Sequence, residues 1–183
     1  EETPADVDVV CFQELYHPHH FARVAEVMRS KGLVHSARQQ PPRRSRMCIH
    51  NGLAIFSKTP LKSPRFLLFT RAHWVERYFG TKGALIVETE IPGIGLVSLT
   101  NVHLTAGGAS NANNPGVDDI RQAELLQTAA WAQTVLDPEA VGGRSAPDAV
   151  VVAGDYNCGP GSSVGNYELL LQEGEHSEQG QRR

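Results

Sequence analysis

The chain has 183 residues, 40% of them hydrophobic and 20% charged, with a net charge of −3. This composition predicts one soluble, globular domain with a real core and excludes a disordered chain. It gives nucleic acid no bulk electrostatic support, although Arg38, Arg43, Arg44 and Arg46 cluster in one polar stretch.

Three isolated cysteines, Cys11, Cys48 and Cys158, form neither a disulfide framework nor a zinc-ligand spacing. Apolar runs fall short of the roughly 18 residues of a spanning helix. No secretion signal opens the chain, and both ends look cut, with a polar tail from Glu173 to Arg183.

In chain order, Val7–Phe12 is the first predicted strand, and it delivers Gln13 and Glu14 at its end. Pro18 opens a helix in which Phe21, Val24 and Met28 recur at helical spacing, and Gly32 stops it. Leu33–Ser36 is a short strand candidate. Gln39–Arg46 is a loop, because its two prolines exclude regular structure. Its arginines suit either a solvated loop or a basic lip for anionic lipid or nucleic acid.

Asn51–Ser57 is the next strand, followed by a candidate at Phe66–Thr70. Ala84–Ile91 and Leu96–Leu104 form a β-hairpin through Pro92-Gly93-Ile94-Gly95. The period of two places Val97, Leu99, Asn101 and His103 on one face of the second strand. Thr105–Gly116 is a Gly- and Asn-rich loop. Asp118 is the expected cap of a helix to about Leu136, with an apolar stripe of Ile120, Ala123, Leu126 and Ala130. Ala149–Ala153, five apolar residues, predicts a strand covered on both faces that stops at Gly154. A last short helix covers about Val164–Leu171. Strands with intervening helices and one hairpin imply a mixed α/β sandwich.

Polar residues out of keeping with their strands stand at four strand ends: Gln13 and Glu14; Asn51; Asn101 and His103; Asp155 and Asn157. Singly, each suits a bland role. Glu14 fits a solvated charge, His103 a satisfied sheet histidine, and Asp155 and Asn157 a turn. Together they supply a carboxylate for Mg²⁺, an imidazole for transition-state charge, and an acid–amide pair for water and phosphate. Rival chemistries fit less well. The sequence has no G-x-S-x-G elbow and no P-loop spacing, and nothing in it activates Cys158.

The order of these motifs is informative. DVVCFQEL (8–15), NGLAIFSK (51–58), TNVHL (100–104) and GDYN (154–157) resemble the endonuclease/exonuclease/phosphatase superfamily. The Lys82-Gly83 pair, the small-residue loop after His103 and IRQAELLQ (120–127) resemble its neutral sphingomyelinase branch. The resemblance runs from about Asp6 to Leu171. It implies a four-layer α/β sandwich (α+β) with two central mixed sheets, incomplete at both ends, over residues 1–172.

On this resemblance Glu14 is the Mg²⁺ ligand, and Asp155 orients or deprotonates the attacking water. Asn157 and His103 hold phosphate oxygens, while Asn51, Lys82 and Asn101 lie at the phosphate. The family's first strand and its late Asp-His pair have no counterpart here, since the only histidine after His103 is His176. The chain is therefore expected to be a fragment that hydrolyses poorly.

The resemblance implies a Mg²⁺-dependent phosphodiesterase that cleaves sphingomyelin to ceramide and phosphocholine. Such an enzyme would touch a membrane surface transiently, through Trp74, Tyr78, Phe79 and the arginine loop, from a peripheral or secreted location, with no oligomer implied. The alternatives are a nuclease or inositol-phosphate phosphatase of the same superfamily, and a non-catalytic binding module with a degenerate site.

Overall fold

The computed structural model describes residues 7–39, 51–74, 76, 81–106, 115–137, 139 and 145–180. Arg43, Arg44, Arg46, Cys48, Tyr78 and Phe79, to which the sequence drew attention, lie outside the described residues.

Two sheets face each other. The first has strand order β1-β3-β2, built from β1 (Val9–Phe12), β2 (His35–Ala37) and β3 (Ala54–Ser57). The second has order β4-β5-β6-β7, from β4 (Lys62–Leu68), β5 (Gly83–Ile91), β6 (Gly95–His103) and β7 (Ala149–Asp155). Strand alternation divides the apolar residues into layers. Val9, Cys11, Leu53 and Ile55 meet Leu85, Val87, Val97 and Leu99 between the sheets. On the outer side of the first sheet, Val10, Phe12, Ala54 and Phe56 pack against Phe21, Val24 and Met28 of α1 (Pro18–Ser30). On the outer side of the second, Ala84, Val102 and Leu104 pack against Leu125 of α2 (Pro115–Leu136) and Leu169 and Leu170 of α3 (Val164–Gly180). This gives the four-layer α/β sandwich expected.

Local chemistry sets the helix ends. Pro18 occupies the first turn of α1, where its missing N–H costs nothing, and His17 caps it by accepting from the His19 amide at 3.2 Å. Gly32, at φ +86°, closes the other end.

Several expectations need correction. Among the described residues both pairs of the first sheet are antiparallel, and the second sheet is mixed, through the parallel β6–β7 pair. Among the described residues β7 lies at the edge of its sheet and runs on to Asp155, and Val151 is 45% exposed. An apolar run alone does not separate an edge strand from a central one. The strand expected at Phe66–Thr70 lies at Lys62–Leu68, and α3 continues beyond Leu171 to Gly180. α2 starts at Pro115, so Asp118 sits in its first turn rather than capping it. The buried face of α2 is Val117, Arg121, Glu124, Leu125, Thr128 and Val135, whereas Leu126 of the expected stripe is 47% exposed. Hydrophobic periodicity misphased this helix because the face it buries carries charged residues with a task at the strand ends.

Candidate active site

The site is assembled by strand register. At the start of the parallel pair, Asp148 accepts from the Leu96 amide through Oδ2, and its own amide donates to the Leu96 carbonyl, each at 2.8 Å. This latch fixes a one-to-one register from Val97↔Ala149 to His103↔Asp155. The two polar residues therefore end up side by side on neighbouring strands. Gly154 allows the close approach. Its φ is +146°, and a Cβ there would lie 2.0 Å from the Val102 carbonyl oxygen. His103 Nε2 is 3.9 Å from Asp155 Oδ2, longer than a hydrogen bond. His103 is 3% exposed, and its Nδ1 has no partner among the described residues. Burial, aided by the charge of Lys82, lowers its pKa, so the ring is neutral at pH 7.

β1 is brought to the same end by Asn101. This fully buried amide donates to the carbonyls of Phe12 (2.9 Å) and Ala54 (3.0 Å) and accepts from Gln13 Nε2 (2.7 Å). All its polar atoms are engaged in joining the two sheets. Asn101 is thus a rivet, and the expectation that it binds phosphate is corrected. The exposed Glu14 follows Gln13 in the left-handed region, φ 59°, a conformation that costs about 1–2 kcal/mol outside glycine. Its turn is held from behind by the Leu15 amide, which donates to the Gly52 carbonyl at 2.8 Å. Asn51 is buried; its Oδ1 accepts from the Leu53 amide at 2.9 Å, and its Nδ2 is a donor without a partner among the described residues.

Two donors converge on the carbonyl after His103. Lys82 Nζ and Asn157 Nδ2 each donate to the Leu104 oxygen at 3.0 Å. Lys82 also lies 3.6 Å from Glu76, and burial lowers its pKa. Asp155 forms a tight turn by accepting from the Asn157 amide at 2.9 Å. Both residues thus face the end of β6.

α2 secures the segment that follows. Arg121 and Glu124 are each 1% exposed. Arg121 donates to the carbonyls of Thr105 and Ala106 and to Asp118 Oδ1, at 2.7–2.8 Å. Glu124 accepts from the Thr105 amide and hydroxyl, both at 2.8 Å. Asp118 also accepts from Ser163, at the start of α3. Glu76 accepts from the Ala106 amide at 3.0 Å. Burial raises the Glu124 carboxyl to about 7 despite its two donors. An open cleft of about 720 Å³ lies alongside, bordered by Ala106, Arg121 and the segment from Gly154 to Ser162.

The profile of the endonuclease/exonuclease/phosphatase family matches residues 2–172. The chain belongs to this family. No curated protein matches it in sequence. Among solved structures, sphingomyelinase C from Streptomyces griseocarneus superposes with a TM-score of 0.70 at 18% identity, covering 91% of this chain and 56% of its own. Beta toxin from Staphylococcus aureus, in a variant with bound magnesium ions, gives 0.69 at 18% identity, covering 91% and 57%. ANGEL2, a 2′,3′-cyclic phosphatase, in complex with adenosine-2′,3′-vanadate, gives 0.57 at 25% identity, covering 85% and 41%. The chain therefore spans just over half the length of these sphingomyelinase and toxin structures, and at 18% identity the likeness establishes the shared fold.

The structure brings His103, Asp155, Asn157 and Lys82 to one end of β6 and β7, and Glu14 and Asn51 to the adjoining end of the first sheet. Sequence reasoning missed Glu76 and Glu124, and named Arg38 only as part of an arginine cluster. Arg121 and Glu124, three apart in IRQAELLQ, carried a signal, because charges at that spacing share a helix face.

Proposed function

We propose that this chain carries the site of a divalent-metal-dependent phosphodiesterase of the sphingomyelinase type, hydrolysing sphingomyelin to ceramide and phosphocholine. The supporting observation is the set at the end of β6: neutral His103 beside the Asp155 carboxylate, with Lys82 and Asn157 on the Leu104 carbonyl. The superposition on sphingomyelinase C supports the lipid substrate.

A metal is implied by the family and tested by the donors. Among the described residues no three His, Cys, Asp or Glu side chains form a cage. Mg²⁺ needs none, since one or two carboxylates, waters and substrate phosphate commonly complete its shell. The exposed Glu14 fits that role, and the orphan donor Asn51 Nδ2 fits a phosphate oxygen beside it. When bound, the ion would polarise the phosphoryl group and acidify water. Asp155 orients the attacking water and takes its proton. The water oxygen joins phosphorus in line as the bond to the ceramide oxygen breaks, and that oxygen leaves as the alcohol, with the proton released from the water returned to it through solvent. His103, Asn157 and Lys82 meet the negative charge that grows on the phosphate oxygens.

No helix of the described residues is long and apolar enough to cross a membrane, and the proposed encounter is at its surface. Trp74 is 74% exposed and available for it. Arg38 is not, because its guanidinium is bound to the protein's own carbonyls.

The test is phosphocholine release from sphingomyelin vesicles with and without Mg²⁺, with DNA and a 2′,3′-cyclic nucleotide as parallel substrates. Mg²⁺-dependent release that disappears in Asp155→Asn supports the proposal. Turnover of the cyclic nucleotide alone would replace it with the reading favoured by the 25% identity to ANGEL2.

A further inference from the structure

Glu14 stands out among the site residues because no side-chain contact among the described residues holds it. Its carboxylate makes no hydrogen bond among the described residues, and its backbone is in the left-handed region at φ 59°. Such a conformation persists only where the surroundings over-determine it. One restraint is Gly52, whose carbonyl accepts from the Leu15 amide at 2.8 Å. A Cβ on Gly52 would lie 3.0 Å from the Glu14 Cα and 2.8 Å from the Tyr16 ring, so the two segments are in direct contact.

The second restraint is the charged side chain that directly follows β2. Arg38 Nη2 donates to the Leu15 carbonyl at 3.2 Å and to the Tyr16 carbonyl at 3.0 Å. Its guanidinium carbon lies 4.9 Å from the centre of the Phe21 ring, on the first turns of α1. The cation is thus fixed by an aromatic face and turned toward the two peptide groups that follow Glu14. Gly52 holds one side of the turn and Arg38 the other.

We propose that Arg38 is a positioning residue for Glu14: by tying the carbonyls of Leu15 and Tyr16, it keeps the turn that presents the Glu14 carboxylate to a divalent cation. This rests on the reading of Glu14 as the metal's carboxylate. Groups that orient a ligand commonly matter to affinity by roughly ten- to a hundredfold.

The test is calorimetric titration of the chain with Mg²⁺. Arg38→Met keeps an unbranched apolar side chain beside Phe21 and removes the donors together with the cation over the ring, so it should weaken binding roughly tenfold or more. Arg38→Lys returns a cation with donors and should recover most of the loss. Met28→Ala loosens the same core from the far end of α1 and should leave Mg²⁺ affinity unchanged, which separates positioning from general loss of stability. In a Glu14→Gln background, Arg38→Met should have no further effect on binding. Wild-type affinity in Arg38→Met, with binding lost in Glu14→Gln, overturns the role of Arg38 alone. Wild-type affinity in Glu14→Gln overturns the metal assignment and this inference with it.

Discussion

Replacing Glu124 by glutamine should stabilise the protein at pH 8 and leave it little changed at pH 5. Glu124 is 1% exposed and bonded to Thr105 through both oxygens. Glutamine can keep both contacts, accepting from the Thr105 amide and donating to its hydroxyl, which can act as either partner. What changes is the charge. Burial moves the carboxyl from an ordinary 4.5 to about 7. Between these values the folded state binds more protons than the unfolded one, so stability falls as pH rises from 4.5 through 7. At 1.36 kcal/mol per tenfold change in proton affinity, the full loss is about 3 kcal/mol. For a chain of this size that is about 6–12 °C in Tm.

The assay must compare the two proteins at each pH, because His103 acts in the opposite sense. Its folded pKa lies below the ordinary 6.5. The unfolded state therefore binds the extra proton first, and stability is lost as pH falls below 6.5. Subtracting wild type from Glu124→Gln cancels that contribution. Urea unfolding at pH 5, 6, 7 and 8 should show the advantage of the variant growing to about 3 kcal/mol. A flat difference across this range would refute the reasoning. So would a variant less stable than wild type at pH 8, since the ionised carboxylate would then be net favourable beside Arg121.

Other outcomes follow from the same geometry. Asn101→Leu removes the three hydrogen bonds that tie the end of β6 to the first sheet, and should cost about 3 kcal/mol in denaturant unfolding. Gly154→Ala, forced against the Val102 carbonyl at positive φ, should cost about 3 kcal/mol and lower Tm accordingly. His103→Gln should abolish the loss of stability below pH 6.5, measured as Tm against pH, because it removes the group that takes up the proton only on unfolding. Trp74→Ala should lower co-sedimentation with sphingomyelin vesicles several-fold while leaving Tm within about 1 °C, because a side chain so exposed contributes little to the core. Unchanged co-sedimentation would remove Trp74 from the membrane contact.

The layers of the fold were legible because alternation and helical spacing record burial directly. Val9, Val10, Cys11 and Phe12 sort to two faces as their order requires, and Phe21, Val24 and Met28 pack where their spacing put them. The polar strand ends were legible as exceptions to that pattern. Two things were hidden. Asn101 and His103 share one face of one strand and differ by two residues, yet the first is consumed as a rivet between sheets. That depends on which carbonyls the other sheet presents, and strand period carries no trace of it. α2 was hidden for a related reason. A helix face that buries Arg121 and Glu124 looks solvent-facing to any rule based on apolar periodicity, although it is the face that sets the site.

The hidden residues share one physical feature, which also explains how an open strand-end site keeps its shape. Thr105 and Ala106 lie beyond the last ladder bond of β6, where backbone groups lose their sheet partners and must find others. Arg121 takes both carbonyls, Glu124 takes the Thr105 amide, and Glu76 takes the Ala106 amide. The Leu104 carbonyl goes to Lys82 and Asn157. Leu15 and Tyr16, just past the end of β1, are handled in the same way, by Gly52 and Arg38. Where the sheets stop, charged side chains take over the work of the ladder. Glu14 and His103 are thereby held at the ends of structures with no strand of their own to continue.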